Sequence, residues 1–146
     1  MIIGDGATKA DRRYLDNLKN LTKMLGLEEK VIFTGWLKKE ELWRTFRAAD
    51  LFVLPSQREG MPNVILEALG VDLPCLGSNI QGVKDVLQYE TLMFDPLDDK
   101  AIAQEIREIF SDSLFSNKIR KLCQERKGAF MFDWKERLYQ MVIGQS

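Results

Sequence analysis

Short apolar runs alternate along this chain with amphipathic stretches. Met1-Ile2-Ile3, Val31-Ile32-Phe33, Leu51 to Leu54, Cys75-Leu76-Gly77-Ser78 and Leu92-Met93-Phe94 have the character of strands. The run Leu51 to Leu54 is apolar on both sides, as expected of a parallel strand covered by helices. Between these runs the period changes. Tyr14, Leu18, Leu21 and Leu25 recur at helical spacing, with Asp11 as a cap and Gly26 as a stop. Helices are also predicted from Glu40 to Ala48, with Leu42, Trp43 and Phe46 inward, from Pro62 to about Leu69, and near Val83 to Leu87. Two or three more close the chain, at about Asp99 to Phe110, Leu114 to Cys123 and Asp133 to Val142. Repeated βα units with short connections predict an α/β fold, a doubly wound parallel sheet flanked by helices. Ligands then belong at the carboxyl ends of the strands.

Composition narrows the chemistry. The 146 residues suffice for a single domain with its own core, and 45% hydrophobic with 29% charged residues is ordinary for a globular protein. A net charge of −1 argues against a nucleic-acid partner. No apolar stretch approaches the ~20 residues of a membrane span, and no signal peptide is visible. Cys75 and Cys123 lack metal-ligand spacing and read as reduced, structural thiols of a cytoplasmic protein. Histidine is absent, so this chain has no histidine base, no Ser-His or Cys-His pair and no histidine metal site.

The densest signal lies between residues 55 and 68. A buried-strand run ends at Pro55; a turn rich in Pro, Ser and Gly follows; a helix is predicted from Pro62, since proline favours the first helical position. A helix N-terminus after a parallel strand offers N–H groups and positive potential to an anion such as a diphosphate. Glu59 lies just before this helix and Glu67 one to two turns inside it. Their carboxylates could accept from hydroxyls on either side of the phosphates, a pattern that fits a nucleotide sugar.

Glu59 and Glu67, with seven residues between them inside Pro55-Ser56-x-x-Glu59-Gly60-x-Pro62-x-Val64-x-x-Glu67-Ala68, resemble the signature of retaining glycosyltransferases. The resemblance is to the C-terminal, donor-binding domain of the GT-B group, which includes the family-four enzymes and glycogen synthases. It extends to Ile2-Ile3-Gly4-Asp5-Gly6, Val31-Ile32-Phe33-Thr34-Gly35, Ala49-Asp50-Leu51-Phe52-Val53-Leu54-Pro55-Ser56 and Asp133-Trp134. It implies a Rossmann-like domain, with an N-terminal acceptor domain and this domain's first strand lying upstream of residue 1, so that residues 1–146 alone are expected to be inactive. The implied reaction transfers a hexose or N-acetylhexosamine from a nucleoside diphosphate, most commonly uridine diphosphate, with retention and without a cofactor or metal. Similarity to bacterial polysaccharide enzymes of the O-antigen and capsule type implies a glycan or lipid-linked acceptor. It also implies a cytoplasmic site, with room for peripheral association at the inner face of the membrane.

The resemblance assigns roles. Glu67 would bind the ribose hydroxyls; as a charged residue in the apolar Val64-Ile65-Leu66-x-Ala68-Leu69 it also fits a plain exposed face. Asn63, four residues earlier, shares its side of the helix. Glu59 would orient the donor sugar and stabilise the transition state, against the alternative that Ser56-x-x-Glu59 is a capping box. Gly60, Met61, Pro62 and Asn63 would form the donor loop, Pro62 fixing the helix start. Gly4 and Gly6 suit a turn shaping one wall of the nucleotide cleft. They do not match a nicotinamide-type loop, which needs a third glycine. Trp36 fits either a place near the base or a core or surface position, and Arg58 either diphosphate neutralisation or plain solvation. Three departures from the family stand out: Asp72 where glycine is usual, Gln81-Gly82-Val83-Lys84-Asp85 where a paired glycine with proline and glutamate is frequent, and Gln88-Tyr89-Glu90-Thr91-Leu92 without its usual glycine. Two other readings stay open, a nucleotide-binding domain without chemistry and a GT-B nucleotide-sugar epimerase.

Overall fold

The computed structural model describes residues 1–5 and 8–131, which fall in two compact units, Met1–Arg44 and Thr45–Ser146. Gly6, Asp133-Trp134 and the helix predicted from Asp133 lie outside the described residues.

In the first unit the two predicted strands are short bridged segments. Ile2 pairs in parallel with Phe33, Ile2 N–H donating to Ile32 O at 2.8 Å and Thr34 N–H to Ile2 O at 3.0 Å. Gly4 and Gly35, with φ of 114° and 65°, form a separate antiparallel bridge, Gly4 N–H donating to Gly35 O at 2.9 Å. Helix α1 spans Lys9–Met24, and its cap is Thr8, not Asp11. Thr8 Oγ1 accepts from Asp11 N–H at 3.2 Å while the Asp11 carboxylate accepts from Thr8 N–H at 2.9 Å, a reciprocal capping box. The Thr8 hydroxyl, 2.7 Å away, is the main reason the Asp11 carboxyl is held below its usual value. The helix is found where the spacing predicts it, although Tyr14, Leu21 and Leu25 are exposed and Leu18 is half-buried. Periodicity reports that a helix is amphipathic, not that its apolar side is covered. Helix α2, Lys39–Ala48, contains the boundary between the units. Its Phe46 is buried as predicted, whereas Trp43 remains 38% exposed.

The second unit holds a three-stranded, all-parallel sheet in the order β1 (Phe52–Leu54), β2 (Cys75–Ser78), β3 (Met93–Phe94). Phe52, Val53 and Leu54 register with Cys75, Leu76 and Gly77; Gly77 and Ser78 register with Met93 and Phe94. The central strand is buried at every residue, which is why its sequence shows no alternation. Around it pack α3 (Asn63–Gly70), α4 (Gln81–Leu87), α5 (Asp99–Ser111) and α6 (Ser113–Phe130). A 3₁₀ turn at Glu90–Leu92 delays β3 to Met93. Asp98 and Asp112 cap α5 and α6, accepting from Ala101 N–H at 2.9 Å and from Leu114 N–H at 2.8 Å. Helix α6 runs past its predicted end at Cys123 to Phe130, through charged residues and Gly128 that carry no helix-favouring apolar pattern.

Arg126 accounts for that extension. It is buried, donates through Nε to Val86 O and through Nη1 to Gln88 Oε1, both at 2.7 Å, and stacks 5.3 Å from the Phe130 ring. Its neighbour Lys127 pairs with Asp72 at 2.8 Å. Asp72 and Gln88 have φ of 62° and 61°, so both non-glycine residues adopt the left-handed backbone that glycine favours. Cys75 and Cys123 are buried free thiols. Cys75 N–H donates to Cys123 Sγ at 3.3 Å, and the contact with that sulfur, together with burial, pushes the Cys75 thiol well above its usual range.

Candidate functional site

Strand β1 ends at Leu54 and the chain remains without helix from Pro55 to Pro62. No helix begins behind Ser56, so Glu59 is not the third residue of a capping box. The helix that does begin is α3. Pro62 is its N-cap residue, at φ −77°, and the helix begins at Asn63, one position after the predicted start. Pro62 is buried and contributes no side-chain cap. The expected free N–H groups are fewer than the sequence implied: Asn63 N–H bonds to Met61 O and Ile65 N–H to Pro62 O, both at 2.9 Å. Val64 N–H has no acceptor among the described residues.

This local structure places the two carboxylates. Glu59 is half-buried in the turn. Glu67 is half-buried on α3, between the buried Ile65 and Ala68, one turn and ~6 Å along the axis from the exposed Asn63. Among the described residues, neither Glu59 nor Glu67 has a hydrogen-bond or ion-pair partner. Both carboxylates are therefore free to accept from the hydroxyls of a ligand. Between the glutamates, Gly60 and Met61 are exposed, Met61 at 61%. The backbone of Glu59 and Gly60 lies directly against Gly82 of α4, a contact that nothing local to either segment announces.

The structure thus brings Glu59, Gly60, Met61, Pro62, Asn63 and Glu67 into one turn-and-helix element. Arg58, beside it, is exposed. Gly4 and Trp36 belong to the other unit, where Gly4 is bridged to Gly35 and Trp36 is 79% exposed, which removes the core reading of that tryptophan. A cavity between α3 and α6, lined by Leu69, Asp72, Leu73, Arg120, Cys123 and Gln124, contains none of the motif residues. Among the described residues there is no cluster of three or more metal-ligating side chains, and no helix is long and apolar enough to cross a membrane.

Comparison with known proteins identifies the family. The family model described as "Glycosyl transferases group 1" matches residues 1–126. The chain is 30% identical over 141 residues to the serotype-specific mannosyltransferase WbdA of Escherichia coli, covering 94% of this chain and 17% of that protein. It is 39% identical over 90 residues to the UDP-Gal:alpha-D-GlcNAc-diphosphoundecaprenol alpha-1,3-galactosyltransferase of the same organism, covering 62% of this chain and 21% of that one. Its fold is similar to that of sucrose-phosphate synthase from Thermosynechococcus elongatus, with a TM-score of 0.74 and 27% identity over 99% of this chain and 38% of that structure. The chain therefore spans about a fifth of the length of the two curated relatives.

Proposed function

The chain belongs to the group 1 glycosyl transferases, and from that premise we propose that it is the nucleotide-sugar-binding part of a retaining hexosyltransferase in polysaccharide biosynthesis. The observation that carries the reading is the pair Glu59 and Glu67, half-buried on one turn-and-helix element and unpartnered among the described residues. A nucleoside diphosphate sugar supplies what both lack: a ribose diol for Glu67, with two acceptor oxygens, and sugar hydroxyls for Glu59. The diphosphate lies between them, at the start of α3, where Val64 N–H and the helix dipole favour negative charge.

In this mechanism the bond from the anomeric carbon to the diphosphate oxygen breaks, and the diphosphate leaves with its electron pair. The acceptor hydroxyl oxygen forms the new bond on the same face and passes its proton to the departing diphosphate oxygen. Glu59 orients the sugar and stabilises the positive charge that develops at the anomeric carbon. Glu67 holds the ribose and anchors the leaving group. Fixed donors stabilise the departing charge without a divalent metal. The relatives that carry mannosyl- and galactosyltransferase names favour a hexose, and the name beginning UDP-Gal favours uridine diphosphate as carrier. The acceptor is then a glycan or lipid-linked saccharide at the inner face of the membrane.

The test is the complete polypeptide incubated with a panel of nucleoside diphosphate hexoses and lipid-linked saccharide acceptors, with products read by mass and by anomeric NMR. A mass gain of one hexose on the acceptor with retained configuration is expected. Binding without transfer, or isomerisation of the donor alone, would refute the reading.

A further inference from the structure

Gly82, the second residue of α4, is buried, and a side chain there has nowhere to go. A Cβ at this position would fall deep inside the contact radius of Gly60 O, 2.5 Å from Glu59 O and 2.9 Å from Gly60 C. All three obstacles are main chain, so no rotamer change can relieve the overlap. Either α4 or the Glu59-Gly60 turn must move, by about 1 Å, to restore an ordinary carbon-to-carbonyl separation.

The packing decides which one yields. Helix α4 is fixed along its length: Val83, Val86 and Leu87 are fully buried, and Val83 Cγ1 lies so close over Gly77 that a Cβ there would be 2.7 Å away. Its last turn is tied to α6 by the 2.7 Å bond from Arg126 Nε to Val86 O. The turn, by contrast, has no regular structure, and Gly60 itself is exposed with no atom near its own Cβ position. A side chain at residue 82 would therefore displace the turn.

We infer that Gly82 is a positioning residue: its missing side chain seats the Glu59-Gly60 turn against α4 and so fixes the Glu59 carboxylate relative to α3. The consequence for transfer rests on the proposed role of Glu59; the seat itself does not. A displacement of about 1 Å in a group that orients a reacting centre lowers turnover by about a hundredfold.

The experiment compares Gly82→Ala with Gly77→Ala. The latter presses on the same helix from the sheet side, but against the side chains of Val83, Leu87 and Ile65. In the complete polypeptide, Gly82→Ala should lower kcat about a hundredfold with a melting temperature no lower than that of Gly77→Ala, which should keep its kcat. In a Glu59→Gln background, Gly82→Ala should cost little more, because the two act through one group. Backbone amide NMR of the 146-residue chain should show Glu59, Gly60 and Met61 shifted by Gly82→Ala beyond any shift from Gly77→Ala. Shifted amides in a polypeptide that transfers no sugar would keep the seat and sink the role given to Glu59. Unshifted amides, an unchanged kcat in a polypeptide that does transfer, full additivity with Glu59→Gln, or a Gly82→Ala chain that cannot fold would overturn the inference. The last counts because the turn, not the helix, is held to yield.

Discussion

Truncating Arg126 to alanine should destabilise the second unit by about 2–4 kcal/mol, the two hydrogen bonds of a charged donor less the cost of burying it. The structure supplies the parts of that figure. The Nε and Nη1 bonds, each 2.7 Å, reach Val86 O and Gln88 Oε1, and a hydrogen bond to a charged group contributes about 1.5–3 kcal/mol. Stacking on Phe130 adds about 0.5–1 kcal/mol. The cost of burying the guanidinium offsets part of this in the wild type, but alanine leaves the two acceptors without their donor. Lysine restores the charge but, having no fork, can reach one acceptor, so Arg126→Lys should recover about half of the loss. The assay is urea unfolding followed by far-ultraviolet circular dichroism on wild type, Arg126→Ala and Arg126→Lys at equal m-values. Against a typical total of about 5–15 kcal/mol, the alanine variant should be close to its limit at physiological temperature. An alanine variant within about 0.5 kcal/mol of wild type, or a lysine variant no better than alanine, would refute this account of Arg126.

Glu59→Gln should keep the melting temperature and lower kcat by at least about tenfold, equal to 1.4 kcal/mol of lost transition-state stabilisation; normal turnover would remove the charge of Glu59 from the mechanism. Glu67→Ala should weaken donor binding by about 1.5–3 kcal/mol, read by calorimetry with the nucleoside diphosphate, and unchanged binding would take Glu67 out of the site. A chelator in the transfer assay should leave the rate intact, and a loss restored by magnesium would overturn the metal-independent reading. Glu105, whose Oε2 is buried without a partner among the described residues, has its carboxyl raised above the usual glutamate value by burial and then by Glu108. A raised folded-state value means that the folded protein favours the protonated acid, so stability is lost as pH rises from the ordinary glutamate value through the raised one. Glu105→Gln should therefore raise the melting temperature at pH 7 and lose that advantage below the ordinary glutamate value; a gain that persists in acid would refute it.

Sequence and structure agree where local signals are redundant. Cys75–Ser78 is found as a strand within the bounds its apolar run predicts, because a strand buried on both faces is unbroken in hydropathy. The turn and helix carrying Glu59 and Glu67 were legible because proline, glycine and the resemblance coincide there. Where a second segment decides the outcome, the sequence was silent. Thr8 takes the cap of α1 because Asp11 completes a box that threonine and aspartate, not only threonine and glutamate, can close. Arg126 reads as a solvated charge until Val86 O and Gln88 are brought to it. The seat of the motif on Gly82 is likewise a contact across more than twenty residues of chain, with no period or spacing to announce it.

The two left-handed residues have a consequence for how this sequence can drift. Asp72 is paired with Lys127 and Gln88 with Arg126, so adjacent positions on α6 each hold one residue in a backbone conformation that costs about 1–2 kcal/mol outside glycine. Positions 72, 88, 126 and 127 thus form an epistatic set. Glycine at 72 removes the need for Lys127, and glycine at 88 removes one of the contacts of Arg126 while leaving its bond to Val86 O. Loss of the cation first leaves an unsupported left-handed residue, so the order of substitutions matters. Homologues with glycine at position 72 should tolerate a wider choice of residues at position 127 than this chain does.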